Sequence, residues 1–170
     1  DMIGYWPLNE GGEILDYSNY HESAGRADES LWTEGMFGSG LATDENGVIS
    51  LTMTDFKFGD KASTVAFWIK PLQELNGFNV LLCKGEKAGG HFELYTNNGE
   101  LKLYIPGICD VSFGKNINAY LGKWTHLTFT YSDGKMNLYI NGEPAGSARV
   151  SGEMPELTAE LILGSLPGGS

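Results

Sequence analysis

The sequence predicts an all-β protein, a sandwich or barrel of short antiparallel strands, and three observations carry that prediction. The first is a meander near the C-terminal end. Residues 124–131 and 135–141 alternate apolar and polar side chains, Asp133-Gly134 joins them, and Asn141-Gly142 follows the second run. Asp-Gly and Asn-Gly tolerate the positive φ of both central positions of a type I′ turn, whose twist matches that of the strands it connects. The second is composition: 24 of 170 residues are glycine, and no stretch keeps a helical period. The third is that the aromatic residues fall in short alternating runs separated by turn residues, as in sandwiches and barrels. A chain of this length is expected to be one domain, residues 1–170, with enough interior for a core.

Taken in order, the first expected strand is 4–8. Residues 11–37 read as one long polar loop, punctuated by glycine and without periodicity; loops of that length in a compact domain are functional or pinned by something. Strands are then expected at 48–53, 63–70, 79–84, 91–96, 101–105, 110–113, 124–131, 135–141, 146–150 and 161–163, with Asn97-Asn98-Gly99 as a second hairpin turn.

Successive side chains of a strand point to opposite faces, so each run gives two face sets. Val65, Phe67 and Ile69 share a face, as do Phe92 and Leu94; Leu101, Leu103 and Ile105; Leu127, Phe129 and Tyr131; and Met136, Leu138 and Ile140. These make the expected core between sheets. The other face carries Trp68 and Lys70, His91, Glu93 and Tyr95, Lys102 and Tyr104, His126, Thr128 and Thr130, and Asn137 and Tyr139. Such a surface suits sugars, because aromatic planes pack on the CH-rich faces of pyranose rings while amides and carboxylates bind the hydroxyls. Tyr95, Tyr104, Tyr139, His91 and Trp68 are therefore the candidate glycan contacts. The competing reading is that cross-strand aromatic pairs stabilise sheets without any ligand.

Net charge is −11, with only 11 Lys plus Arg. Nucleic-acid binding needs a basic stripe, and anionic membrane surfaces attract cations, so both are excluded as partners. No apolar run approaches the roughly 18 residues of a membrane span. There is no signal-peptide pattern, and a chain opening on Asp1 is expected to be a mature or trimmed product. Cys83 and Cys109 lack zinc-site spacing. A disulfide in an exported domain and a buried free thiol at Cys83 remain equal alternatives. Catalysis is not expected. No strand carries paired carboxylates at the alternation that a retaining glycosidase needs, and Glu153, Glu156 and Glu160 flank Pro155 in a loop-like stretch. There is no G-x-S-x-G, P-loop or H-E-x-x-H motif either.

Several segments together resemble the laminin G-like, concanavalin A-like jellyroll family. Residues 124–142 resemble its late hairpin, with Trp124-Thr125-His126 before Tyr131-Ser132-Asp133-Gly134 and then Leu138-Tyr139-Ile140-Asn141-Gly142. Tyr5-Trp6-Pro7-Leu8-Asn9-Glu10-Gly11 followed by Asp16-Tyr17-Ser18 resembles its opening. Gly35-Met36-Phe37-Gly38, Phe67-Trp68-Ile69-Lys70-Pro71, Leu82-Cys83-Lys84-Gly85 and Leu161-Ile162-Leu163-Gly164 follow in family order. The resemblance implies a two-sheet antiparallel jellyroll sandwich. It also implies a non-catalytic, lectin-like carbohydrate-binding module of a larger exported or cell-surface protein, located outside the cell. The alternative it leaves is a protein–protein adhesion or structural domain, and the third is a glycan-active enzyme.

Two further expectations come from the resemblance. Asp16 falls on the family's "D-x-S" aspartate, so Asp16, Ser18 and Asn19, with Glu22 nearby, are candidate ligands of a structural Ca2+, a cation that prefers hard oxygen donors; the alternative is that these residues are turn formers. The family's last strand, of the type "G-x-I-D-(E/D)-V-R-I-Y", has no counterpart after Leu163. The opening strand is then expected to lack its partner, leaving an edge for a strand donated by a second chain or the parent protein.

Overall fold

The computed structural model describes residues 2–9, 12, 14–18, 24–27, 31–43, 49–51, 62–85, 92–152 and 159–165. Among these residues fourteen strands follow in chain order: β1 (Ile14–Leu15), β2 (Ala24–Arg26), β3 (Trp32–Glu34), β4 (Ser39–Leu41), β5 (Ile49–Leu51), β6 (Ser63–Ile69) and β7 (Phe78–Lys84). Then come β8 (Phe92–Asn97), β9 (Glu100–Ile105), β10 (Cys109–Asn116), β11 (Thr125–Ser132), β12 (Lys135–Ile140), β13 (Glu143–Arg149) and β14 (Leu161–Leu163). One sheet has eight strands in the order β1-β2-β5-β14-β7-β8-β9-β10, a second has four in the order β13-β12-β11-β6, and β3 and β4 form a separate hairpin. Every pairing is antiparallel. No helix among the described residues is long and apolar enough to cross a membrane.

Turn chemistry sets the hairpins. Asn98-Gly99, Asp133-Gly134 and Asn141-Gly142 all take positive φ at both residues, 49° and 77°, 51° and 72°, and 53° and 84°. They join β8 to β9, β11 to β12 and β12 to β13 as the type I′ geometry requires. The inward faces then pack the sheets together. Leu127, Phe129, Met136 and Leu138 of the small sheet are wholly buried against Leu82, Leu94, Leu101 and Leu103 of the large one. Phe129 anchors the layer, with Phe113 edge-on at 5.6 Å and Phe67 stacked at 6.3 Å.

Two corrections to the sequence reading follow, and then two points that it left open. Residues 4–8 form no strand: Pro7 has no N–H to donate, Leu8 takes φ 55°, and the Tyr5 N–H goes to the Asp16 carboxylate instead of a neighbouring main chain. The expected loop 11–37 contains β1, β2 and β3, pieces of two or three residues too short to show alternation. The outward face of the large sheet is not uniformly solvated, because Val80, Cys83 and Ile162 form a second buried cluster there. Both cysteines are free. Cys83 lies on β7 and Cys109 on β10, three strand spacings away or roughly 14 Å, beyond the reach of a disulfide.

Candidate functional site

The candidate glycan contacts separate into two groups on opposite sides of the sandwich. Tyr95 and Tyr104 lie on the outer face of the large sheet, Trp68 and Tyr139 on the outer face of the small one, and His91 is outside the described residues. With sheets about 10 Å apart, one small ligand cannot touch both groups.

On the large sheet, register places Tyr95 opposite Lys102, and Tyr104 opposite both Glu93 and Asp110. The Tyr95 hydroxyl donates to Asp110 Oδ1 at 2.7 Å, and Lys102 Nζ stands 3.2 Å from the same oxygen and 5.5 Å above the Tyr95 ring. Phe78 covers the ring further at 5.0 Å. Tyr95 is only 6% exposed as a result. Burial, then the bond to Asp110, pushes its hydroxyl above the usual tyrosine range, while the bond with Tyr95 raises Lys102. This triad leaves its polar rim to solvent, with Asp110 half exposed and Ser112 donating to Glu100 at 2.6 Å. Tyr104 is half-buried beside it.

The small sheet is built the other way. Trp68 is 40% exposed and Phe37 64%. Phe37, on the turn between β3 and β4, meets the indole edge-on at 6.0 Å, and His126, directly opposite on β11, lies 5.0 Å away. Hydrogen-bonding groups continue across the face. Thr128 Oγ1 is 3.3 Å from His126 Nδ1, and Tyr139 stands opposite Thr128. Asn137 reaches the Thr130 hydroxyl at 3.4 Å, and Asn141 Oδ1 accepts the His126 N–H at 2.9 Å. An open indole, a second aromatic at its rim and a row of hydroxyl, amide and imidazole groups form one surface. Trp68 and Tyr139 were legible from alternation; Phe37 was missed, because it sits in a stretch that reads as loop.

The candidate calcium ligands are partly described. Asp16 Oδ1 accepts the N–H groups of Tyr5 and Ser18, each at 2.8 Å, and Oδ2 accepts the Ser18 hydroxyl at 2.8 Å. Asp16 and Ser18 are both buried, while Asn19 and Glu22 lie outside the described residues. The carboxylate thus ties the segment 2–9 to the strand that follows. Of the loop carboxylates, Glu160 is exposed and accepts from Ser50, and Glu153 and Glu156 are outside the described residues.

Buried charge was also missed. Lys84 has no exposed surface and shares a row with Phe92 and Leu161 in the core, and Glu93 is buried beside Cys83 on the outer face.

No curated protein matches the chain. Solved structures do. The binding domain of Paraclostridial Mosquitocidal Protein 1 is 17% identical with a TM-score of 0.72, covering 95% of this chain and 43% of that one. The binding domain of Botulinum Neurotoxin DC, solved with SialylT, is 17% identical with a TM-score of 0.69 over the same shares. Domain 4 of AbnA, a GH43 extracellular arabinanase from Geobacillus stearothermophilus solved with arabinotriose, is 21% identical with a TM-score of 0.62, covering 94% of this chain and 70% of that one. The chain therefore spans less than half the length of the two toxin domains, and these likenesses establish the shared jellyroll sandwich. Residues 43–170 match a laminin G-like family model, and the chain belongs to the concanavalin A-like lectin/glucanases superfamily.

Proposed function

We propose that this chain is a non-catalytic carbohydrate-binding module of an exported or cell-surface protein, and that the sugar lies across Trp68 on the outer face of the small sheet. One observation carries the reading: a large aromatic plane left open in a strand whose neighbours supply hydroxyl, amide and imidazole groups. Sugar sites need that pairing, because the ring face is apolar and its rim is polar. Tyr95, by contrast, is covered by Lys102 and Phe78 and serves the sheet. Further support is that two neighbours of the same fold were solved in complex with ligands, the arabinanase domain with arabinotriose and the neurotoxin domain with SialylT.

Calcium belongs to the proposal as a structural ion at Asp16. It would share that carboxylate with three donors already present, so its effect is on the stability of the opening segment and no binding step depends on it.

A glycan array, run with and without EDTA, supplies the ligand, and calorimetry then tests the site. Trp68→Ala is expected to weaken binding at least tenfold, about 1.4 kcal/mol, and Tyr139→Ala by less. If Trp68→Ala binds like the parent while Tyr104→Ala does not, the sugar sits on the large sheet and this assignment is wrong.

A further inference from the structure

The outer face of the small sheet is charged unlike the rest of the chain. Met136 is buried and pairs inward with Ala148, so the neighbouring row, Lys135 opposite Arg149, points outward, and both side chains are exposed. The outward positions of β6, β11, β12 and β13 carry no carboxylate, although the chain has 22 Asp plus Glu against 11 Lys plus Arg. Glu143, at the start of β13, stands opposite the inward Ile140. Asp133, the acid next to Lys135 in the sequence, lies in the β11–β12 turn and accepts the Ser132 hydroxyl at 2.9 Å. The fixed charges of this face are therefore Lys135 and Arg149, both positive.

Two like charges directly opposite on one face destabilise a sheet, their Cβ atoms being only about 5 Å apart. Neither Lys135 nor Arg149 has a side-chain hydrogen bond or ion pair to relieve that among the described residues, whereas Lys102 on the large sheet stands 3.2 Å from Asp110. A local cost without compensation inside the chain marks a place that something else completes. Its position says what. Ser132 lies beside Lys135, and six residues back along β11 His126 faces Trp68. The two cations are therefore roughly 20 Å from the indole, about the span of four sugar rings. Thr130 and Asn137 stand between them, with hydroxyl and amide groups outward.

We propose that the glycan read by this face is acidic. It is an oligosaccharide laid along the strands, with one ring on Trp68 and a carboxylate or sulfate ester between Lys135 and Arg149. The inference rests on the sugar reading and adds the class of sugar. A guanidinium binds an oxyanion through two N–H groups at once, and the ammonium beside it adds a point charge. The net charge of −11 does not undo this, since exposed charges are screened over about 8–10 Å in ordinary salt, while the pair acts at contact. An acidic polypeptide would meet the same cations, but its main chain presents no CH-rich ring to the open indole, so a saccharide is favoured.

Two acidic probes, each with its uncharged twin, are titrated into the 170-residue chain by calorimetry at low salt: hexagalacturonate with its methyl ester, and κ-carrageenan hexasaccharide with its desulfated form. At least one acid is expected to bind with a Kd on the order of 0.1–1 mM, and which one separates carboxylate from sulfate. Its twin should bind at least about fivefold more weakly, and the double variant Lys135→Gln/Arg149→Gln should close that gap. The urea midpoint of the double variant should not fall, because removing a like-charge pair relieves the sheet. Trp68→Ala should weaken acid and twin alike. Equal binding of acid and twin, or an acid affinity unchanged in the double variant, overturns the proposal, and the sugar platform survives if Trp68→Ala still weakens both. If Trp68→Ala binds like the parent, the platform is wrong and the spanning glycan falls with it. The proposal is also overturned if neither acid binds, if the double variant loses stability, or if hexaglutamate binds as tightly as the better saccharide.

Discussion

Asn141 links the stability of a turn to the geometry of the aromatic platform. It takes φ 53° in the turn between β12 and β13, donates its N–H to the His126 carbonyl at 2.8 Å, and accepts the His126 N–H on Oδ1 at 2.9 Å. Asn141→Ala removes the side-chain bond and puts a residue without asparagine's local compensation in the left-handed region. Such placement costs about 1–2 kcal/mol, of which asparagine already bears part, and a net hydrogen bond contributes about 0.5–1.5 kcal/mol. The expected loss is about 2 kcal/mol. Asn141→Gly loses the same bond but none of the backbone comfort, and its extra unfolded-state entropy is below about 1 kcal/mol, so about 1 kcal/mol is expected. Urea melts read the difference. With a slope of about 1–3 kcal/mol per molar, the alanine midpoint falls about 1 M and the glycine midpoint about half that, at unchanged slope. A glycine variant as unstable as the alanine one would refute the turn argument, leaving the His126 clasp as the whole effect. Both variants should also weaken glycan binding a few-fold, because His126 packs on Trp68.

Cys83 should be the slower thiol. Burial, and next the Glu93 charge, push it up to about 12, whereas Cys109 is raised without being fully enclosed, so iodoacetamide at pH 8 should modify Cys109 first. Because the folded Cys83 value lies above its ordinary 9, its contribution to stability is complete below pH 9 and is lost as pH rises towards 12; alkaline melts of Cys83→Ala should be flatter there than those of the parent. Asp16→Ala strands the Tyr5 and Ser18 N–H groups and should cost about 1–3 kcal/mol with or without calcium. The calcium proposal adds that the metal raises the parent's melting temperature and leaves that of the variant unmoved; no shift in chelated parent on calcium addition would remove it.

Fold legibility followed the range of the interactions. Hairpins are local, so Asn98-Gly99, Asp133-Gly134 and Asn141-Gly142 announced their turns, and the strands around them lie within a few residues of expectation. The N-terminal quarter was misread because its order is non-local. β2 pairs with β5, and β5 pairs with β14, whose Leu161 lies opposite Leu51. Strands this short are specified by the partner's edge, and their own pattern carries almost nothing. Residues 4–8 failed for the complementary reason: an apolar run looks like a strand, but Pro7 and the left-handed Leu8 prevent it from joining a ladder.

For the site, alternation showed which side chains point outward and could not show which of them are open. Tyr95 and Trp68 are equivalent by that rule. Tyr95 stands on β8, between β7 and β9, where Phe78 and Lys102 close over it. Trp68 stands on β6, which among the described strands pairs only with β11, and it stays 40% exposed beside Phe37 and His126. Strand order is therefore what separates a structural tyrosine from an available tryptophan, and strand order is the least local property of a β protein.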